Sequence, residues 1–227
     1  MLVQNQNLSA SISDNLASLL EADIIFGRLR PMQRLTEEEL VERHGVSRSP
    51  VREAIRMLAQ DGLIVREPRK GIWVSPLSVR DFDELSLCRI ELEGLAAEQA
   101  ALADAPEEKA KFNDLFKRLE QAQKDGDAHA FFLTDVEGSM LTYRTADNKT
   151  LIRLLESLDK QALRYRFHAY SQRQGILDLT LDDTRRIYDA IIEGDGVAAK
   201  QLTREIISKI WKTTRDTVRE SFEDAAS

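Results

Sequence analysis

A single cysteine in 227 residues rules out a disulfide within the chain. Cys88 falls inside an apolar helical pattern, which predicts a small buried side chain and fits a reducing cytoplasm. Long apolar runs are missing as well, and no stretch approaches the ~18 residues a bilayer span requires. The start, Met1-Leu2-Val3-Gln4-Asn5-Gln6-Asn7, has neither a basic stretch nor a long apolar one, so no secretory signal is expected. Histidine is scarce: His44, His129 and His168 stand far apart and show no metal-ligand spacing. There is no phosphate-cradling glycine loop, no HExxH, no GxSxG and no useful Cys/His pair, so an enzyme is not expected. What is present is ordinary for a globular chain, 42% hydrophobic and 31% charged.

The net charge of −7 argues against a nucleic-acid partner until its distribution is considered. Residues 1–77 carry 10 basic and 10 acidic side chains, and the whole deficit lies in residues 78–227, with 22 basic against 29 acidic. From Arg43 to Lys70 there are seven basic residues and three acidic ones. Phosphate contact depends on local charge, because screening cuts interactions beyond roughly 8–10 Å.

Leu16, Leu19, Leu20 and Ile24 repeat at helical spacing and predict a helix from about Ile12 to Phe26, stopped by Gly27 and Pro31. Thr36-Glu37-Glu38-Glu39 has the form of a capping box, with Leu35 and Leu40 placed for a hydrophobic staple. Gly45 ends that helix after two turns. The next is expected to start with Ser49 as N-cap and Pro50 as its first residue, with Val51, Ala54, Ile55 and Leu58 facing inward and Gly62 as its end. Leu63-Ile64-Val65 and Ile72-Trp73-Val74 predict a small hairpin across Pro68 to Gly71. Short helix, glycine turn, helix and hairpin together make a winged helix-turn-helix.

Arg48, Arg52 and Arg56 recur every fourth residue, opposite the apolar stripe. Such a helix can lie in a major groove, where arginine forks two hydrogen bonds onto guanine. Ser47 and Ser49, with the open backbone donors of the helix start, suit phosphate oxygens. Arg69 and Lys70 at the hairpin tip could reach backbone or a neighbouring groove. The alternative is a helical scaffold or ligand-binding protein whose basic helix contacts an acidic protein partner.

The run Leu35-Thr36-Glu37-Glu38-Glu39-Leu40, then Gly45-Val46-Ser47-Arg48-Ser49-Pro50-Val51-Arg52-Glu53-Ala54-Ile55, then Leu58 and Asp61-Gly62-Leu63, resembles the GntR family of transcription regulators. The resemblance implies that Arg48 and Arg52 contact bases, that Ser47 and Ser49 hold phosphates, and that Gly71 is the wing glycine. Glu38 stands where some members carry a DNA-contacting arginine, so no contact is transferred there.

Pro76 marks the expected boundary between a DNA-binding domain, 1–76, and a second domain, 77–227. The fold class is mainly α, because everything beyond the boundary has helical periodicity. Six helices, at about 79–103, 106–124, 127–145, 149–171, 179–193 and 195–222, predict an all-α antiparallel bundle. Arg89-Ile90-Glu91-Leu92-Glu93 with Ala96-Ala97, and Ala146-Asp147-Asn148 with Leu151, are similar to the FCD-type effector domain of that family. Six helices rather than seven point to its VanR-like subgroup. The resemblance implies a homodimer on a palindromic operator, released by a small effector, here expected to be an organic acid.

Many relatives hold a divalent metal with one Asp and three His. Asp135 fits, but Ser139, Thr184 and Glu205 fall on the other positions, so metal binding is not expected and no cofactor is predicted. An oxygen-rich site from Asp135 and Glu205 is the remaining option. The same residues, with Arg89 at one end, would line a polar effector pocket. Arg89 lies on the stripe of Phe82, Leu85, Leu92 and Ala96, so it needs an anionic partner. That partner is either Glu93, one turn on, or the effector's carboxylate. Arg164, Tyr165 and Arg166 are secondary candidates, with both arginines expected at the surface. The polar end, with Glu220, Glu223 and Asp224, is expected to fray.

Overall fold

α1 (Ile12–Ile25) begins where Ser11 and Asp14 close a reciprocal capping box, the Ser11 hydroxyl accepting from the Asp14 amide at 3.1 Å. The structure is a computed structural model that describes residues 11–67, 70–172 and 175–222, and the chain divides into two units, 1–77 and 78–227. In the first unit β1 (Arg34–Leu35) precedes α2 (Glu37–His44), α3 (Arg48–Gln60), β2 (Ile64–Glu67) and β3 (Gly71–Val74). Thr36 and Glu39 form the capping box of α2, with both hydrogen bonds at 3.2 Å, and Leu35 and Leu40 are both buried. Gly45 ends α2 at φ +64°, a left-handed backbone that glycine adopts without steric cost.

Two details of this unit differ from the sequence expectation. Ser47, not Ser49, is the N-cap of α3, which places Arg48 and Ser49 inside the first helical turn. Pro50 is tolerated there because first-turn amides lack an intrahelical acceptor in any case. The hairpin is also the larger part of a three-stranded antiparallel sheet, ordered β1-β3-β2, in which Arg34 pairs with Trp73 and Leu35 with Ile72. A two-residue strand is too short to show a period. Leu16, Leu20 and Ile24 of α1 meet Val51, Ile55 and Leu58 of α3 in one core that also takes in Leu63, Ile64 and Val74. Full burial of each such side chain contributes roughly 1.5–3 kcal/mol.

The second unit contains α4 (Val79–Leu102), α5 (Pro106–Lys124), α6 (Ala128–Thr145), α7 (Lys149–Gln172), α8 (Gly175–Glu193) and α9 (Gly196–Phe222). α4 is the central element, packing against α6, α7, α8 and α9. Its buried stripe includes Phe82, Leu85, Ser86, Arg89, Ile90 and Glu93, which leaves Leu87 and Cys88 on the outer side. Cys88 is therefore exposed, contrary to the buried position its apolar neighbours predict. At the α6–α7 corner Asp147 has φ +47°, and Asn148 caps α7 by accepting from the Leu151 amide at 3.1 Å. The Asn148 amide also donates to Gln99 of α4 at 3.1 Å. That gives the Ala146-Asp147-Asn148 pattern a mechanical reason. α9 continues through Glu220 to Phe222, whereas Glu223 and Asp224 lie outside the described residues. No described helix is long and apolar enough to cross a membrane.

Candidate functional site

Two places carry polar chemistry, one in each unit. In the first, α3 buries Val51, Ala54, Ile55 and Leu58 and turns Arg48, Arg52 and Arg56 outward. Each arginine meets a carboxylate. Arg52 Nε donates to Glu37 Oε2 at 2.8 Å, Arg56 is forked onto Glu53, and Arg48 Nη2 lies 3.4 Å from Glu38. Glu53 is held below the ordinary carboxylate range, chiefly by its hydrogen bond with Arg56. Ser47 and Ser49 are exposed at the helix start, and the Ser47 hydroxyl makes no capping bond. An open groove there is lined by Ser47, Ser49, Arg52 and Arg56, and also by Arg66, which helical spacing could not reveal because it belongs to β2.

In the wing, Lys70 is exposed and pairs with Glu67 at 2.8 Å. Gly71 has φ +125°, and the Arg34 guanidinium lies 3.4 Å from the point a Cβ would occupy. Arg34 itself sits over the Trp73 ring at 5.8 Å. Arg69 lies outside the described residues.

In the second unit, a cavity of about 90 Å³ is walled by α4, α6, α7, α8 and α9. Arg89, Asp135, Ser139 and Thr184 all line it, as the sequence predicts. Glu205 does not. The inward stripe of α9 runs through Thr203, Ile206, Ile207, Ile210 and Thr214, and Glu205 points off that stripe to the exterior, where Gln201 donates to it at 2.9 Å. Arg166, expected at the surface, is buried in the cavity wall and donates to Asp135 at 2.6 Å. Arg164 is buried too, and burial pushes its guanidinium down to about 10. A charge in a helical sequence reads as solvated unless its three-dimensional neighbours are known, and Asp135 stands 31 residues from Arg166.

Arg89 is engaged. Its Nε and Nη2 both reach Glu93 Oε1, at 2.7 and 2.6 Å, and Asp159 lies 3.9 Å away. Burial opposes its charge, but Glu93 and Asp159 outweigh that and hold its pKa above the usual guanidinium value. The same burial raises Glu93, with Arg89 opposing only in part. For Arg166, burial is again outweighed by Asp135, and the guanidinium stays charged. Tyr170 completes the Asp135 cluster by donating to Oδ2 at 2.8 Å.

Four polar atoms on cavity-lining residues are buried without a hydrogen-bond partner among the described residues: Arg166 Nη1, Tyr143 Oη, Thr203 Oγ1 and Thr214 Oγ1. Trp211 adds an aromatic wall and donates to Asp83 at 2.7 Å. The arrangement does not fit a divalent metal. Asp135 already has a guanidinium against it, Ser139 and Thr184 supply hydroxyls where imidazoles would be needed, and Glu205 is on the outside. Among the described residues no cluster of three or more His, Cys, Asp or Glu could hold an ion.

Comparison with known proteins follows the same division. Residues 12–74 match bacterial regulatory proteins of the gntR family, and residues 84–209 match the FCD domain. The chain is 26% identical to the HTH-type transcriptional repressor RspR of Escherichia coli, covering 97% of each. It is 29% identical to McbR of the same organism over 61% of this chain and 63% of that one. It is 40% identical to the regulator YdhC of Bacillus subtilis over 46% of each. The matches thus span about half to three fifths of the lengths of the latter two relatives. The fold is similar to that of solved E. coli McbR/YncC, with a TM-score of 0.81 at 22% identity over 92% of this chain and 99% of that one. A GntR transcriptional regulator from Rhodococcus sp. RHA1 gives 0.76 at 22% identity, covering 94% and 100%.

Proposed function

Because the chain belongs to the gntR family of DNA-binding transcription regulators and carries its FCD domain, a non-enzymatic combination, we propose that it is a cytoplasmic repressor. It binds a palindromic operator as a homodimer and is released by a small organic acid. The observation that carries the DNA reading is the exposed Arg48-Arg52-Arg56 face of α3, fixed from behind by a fully buried apolar stripe. Ser47 and Ser49 contact phosphate, and Lys70, Gly71 and Arg69 belong to the wing contact. The repressor role follows the relative RspR, whose name states it. The six helices described in the second unit support a reading as a VanR-like member of the family.

The effector occupies the cavity between α4 and α9, with Asp135, Ser139 and Thr184 in its wall. Its carboxylate is anchored by Arg166, whose Nη1 is unpartnered, and not by Arg89, which Glu93 already occupies. Tyr143, Thr203 and Thr214 supply the remaining hydrogen bonds. The enclosed, polar-lined cavity suits a small ligand. Binding shifts the placement of the two DNA-reading heads only by its difference in affinity for the two arrangements.

The test is a thermal-shift screen of the full chain with small carboxylic acids, with and without chelator, followed by release from bound DNA. An acid at ~100 times its dissociation constant adds ~2.7 kcal/mol. Thr203→Val should reduce that gain by about 1 kcal/mol while leaving DNA binding intact. Stabilisation that requires added metal would overturn the metal-free pocket.

A further inference from the structure

α2 begins with three consecutive glutamates, and its capping box needs one of them. Glu39 closes the box with Thr36, so Glu37 and Glu38 take no part in the capping hydrogen bonds, although their charge suits a first helical turn. Glu37 is the less exposed member of its pair, 23% exposed against 63% for Arg52, and its bond to Arg52 Nε crosses from α2 to α3. Among the described residues the two terminal nitrogens of Arg52 make no hydrogen bond. The other two arginines are held differently. Glu53 takes both Nε and Nη2 of Arg56 and so occupies one side of its fork. Glu38 is 71% exposed and only loosely approaches Arg48, a geometry that solvent screens heavily.

We propose that Glu37 is a positioning residue for DNA recognition: it holds the Nε edge of Arg52 so that Nη1 and Nη2 face a guanine edge as a preset fork. The proposal rests on α3 being the helix that enters the groove. An arginine side chain loses much rotamer freedom when it is immobilised, and a fixed Nε removes part of that loss from the binding step. The carboxylate also cancels one positive charge at the DNA face, which weakens attraction to any phosphate backbone. Glu37 therefore acts with opposite sign on the two kinds of binding, favouring the matched site and disfavouring unmatched DNA.

The experiment uses the full chain as wild type, Glu37→Ala, Glu37→Gln and Arg52→Ala, each selected against random-sequence duplexes whose bound fraction is sequenced. Binding to one fixed unselected duplex is measured in parallel across salt concentrations, and thermal midpoints confirm that each variant is folded. Wild type should enrich a motif in which Arg52→Ala loses one guanine per half-site. Glu37→Ala should lose preference at that same position by about tenfold, while binding the unselected duplex as tightly as wild type or more tightly. Glu37→Gln, whose carbonyl still accepts from Nε, should retain part of the preference. Full guanine preference in Glu37→Ala would overturn the proposal, as would equal weakening on selected and unselected DNA. A motif from which Arg52→Ala removes no position would overturn the reading of α3 along with it.

Discussion

Arg89 and Arg166 share one buried cluster, yet they have different work to do. Arg89 spends its hydrogen bonds on Glu93, so removing it would strand two carboxylates in the interior. Arg89→Met should destabilise the chain by about 3–5 kcal/mol in urea unfolding, while pairing it with Glu93→Leu should recover much of the loss. A second residue-level effect is tied to pH. Burial holds His168 below the ordinary imidazole value of 6.5, against Ser221 and the Phe222 ring. The unfolded chain then takes up its proton first, so stability falls as pH drops from about 6.5 through the folded value. His168→Gln should flatten that part of a stability-versus-pH curve. Arg89 was legible in the sequence because a charge on an apolar stripe demands a partner. Arg166 was not, since no spacing rule joins α7 to Asp135 on α6.

Most helix starts and stops were legible for a local reason, the starts of α3 and α8 excepted: capping boxes, left-handed glycines and stripe periodicity are set by residues close in the chain. Thr36 with Glu39, and Gly45 at the end of α2, show this. What escaped depends on neighbours far away, as with β1, defined only by its pairing with β3, and the direction of α9, which turned Glu205 outward. Close approach between elements is equally hidden. Gly138 lets α6 lie directly against Tyr188 of α8, and a Cβ there would overlap the phenol oxygen. Tyr188 is buried and cannot swing away freely. Gly138→Ala should therefore cost about 1–3 kcal/mol, measured by thermal or urea unfolding. The same variant should weaken effector binding, because Gly138 is part of the cavity wall.

At the scale of the molecule, each unit is built around its own chemistry. The residues lining the cavity all lie between Phe82 and Thr214, within the second unit. A fragment of residues 78–227 is expected to unfold cooperatively and to keep the full stabilisation by the acid, checked by the same thermal-shift screen. Loss of binding in a folded fragment would mean that the first unit contributes to the site. The neutral first unit within a chain of net charge −7 also implies that generic attraction to DNA is weak, so salt should diminish non-specific binding early.

The two tryptophans of the chain fall one to each unit, Trp73 on β3 beside Arg34 and Trp211 in the cavity wall on Asp83. The protein thereby carries two optical gauges of its own. Replacing either by Phe leaves a fluorophore that watches one event alone, Trp73 the arrival of DNA at the wing and Trp211 the filling of the cavity. The order in which the two signals change after mixing with DNA and acid would give the sequence of events in the proposed switch without any attached dye.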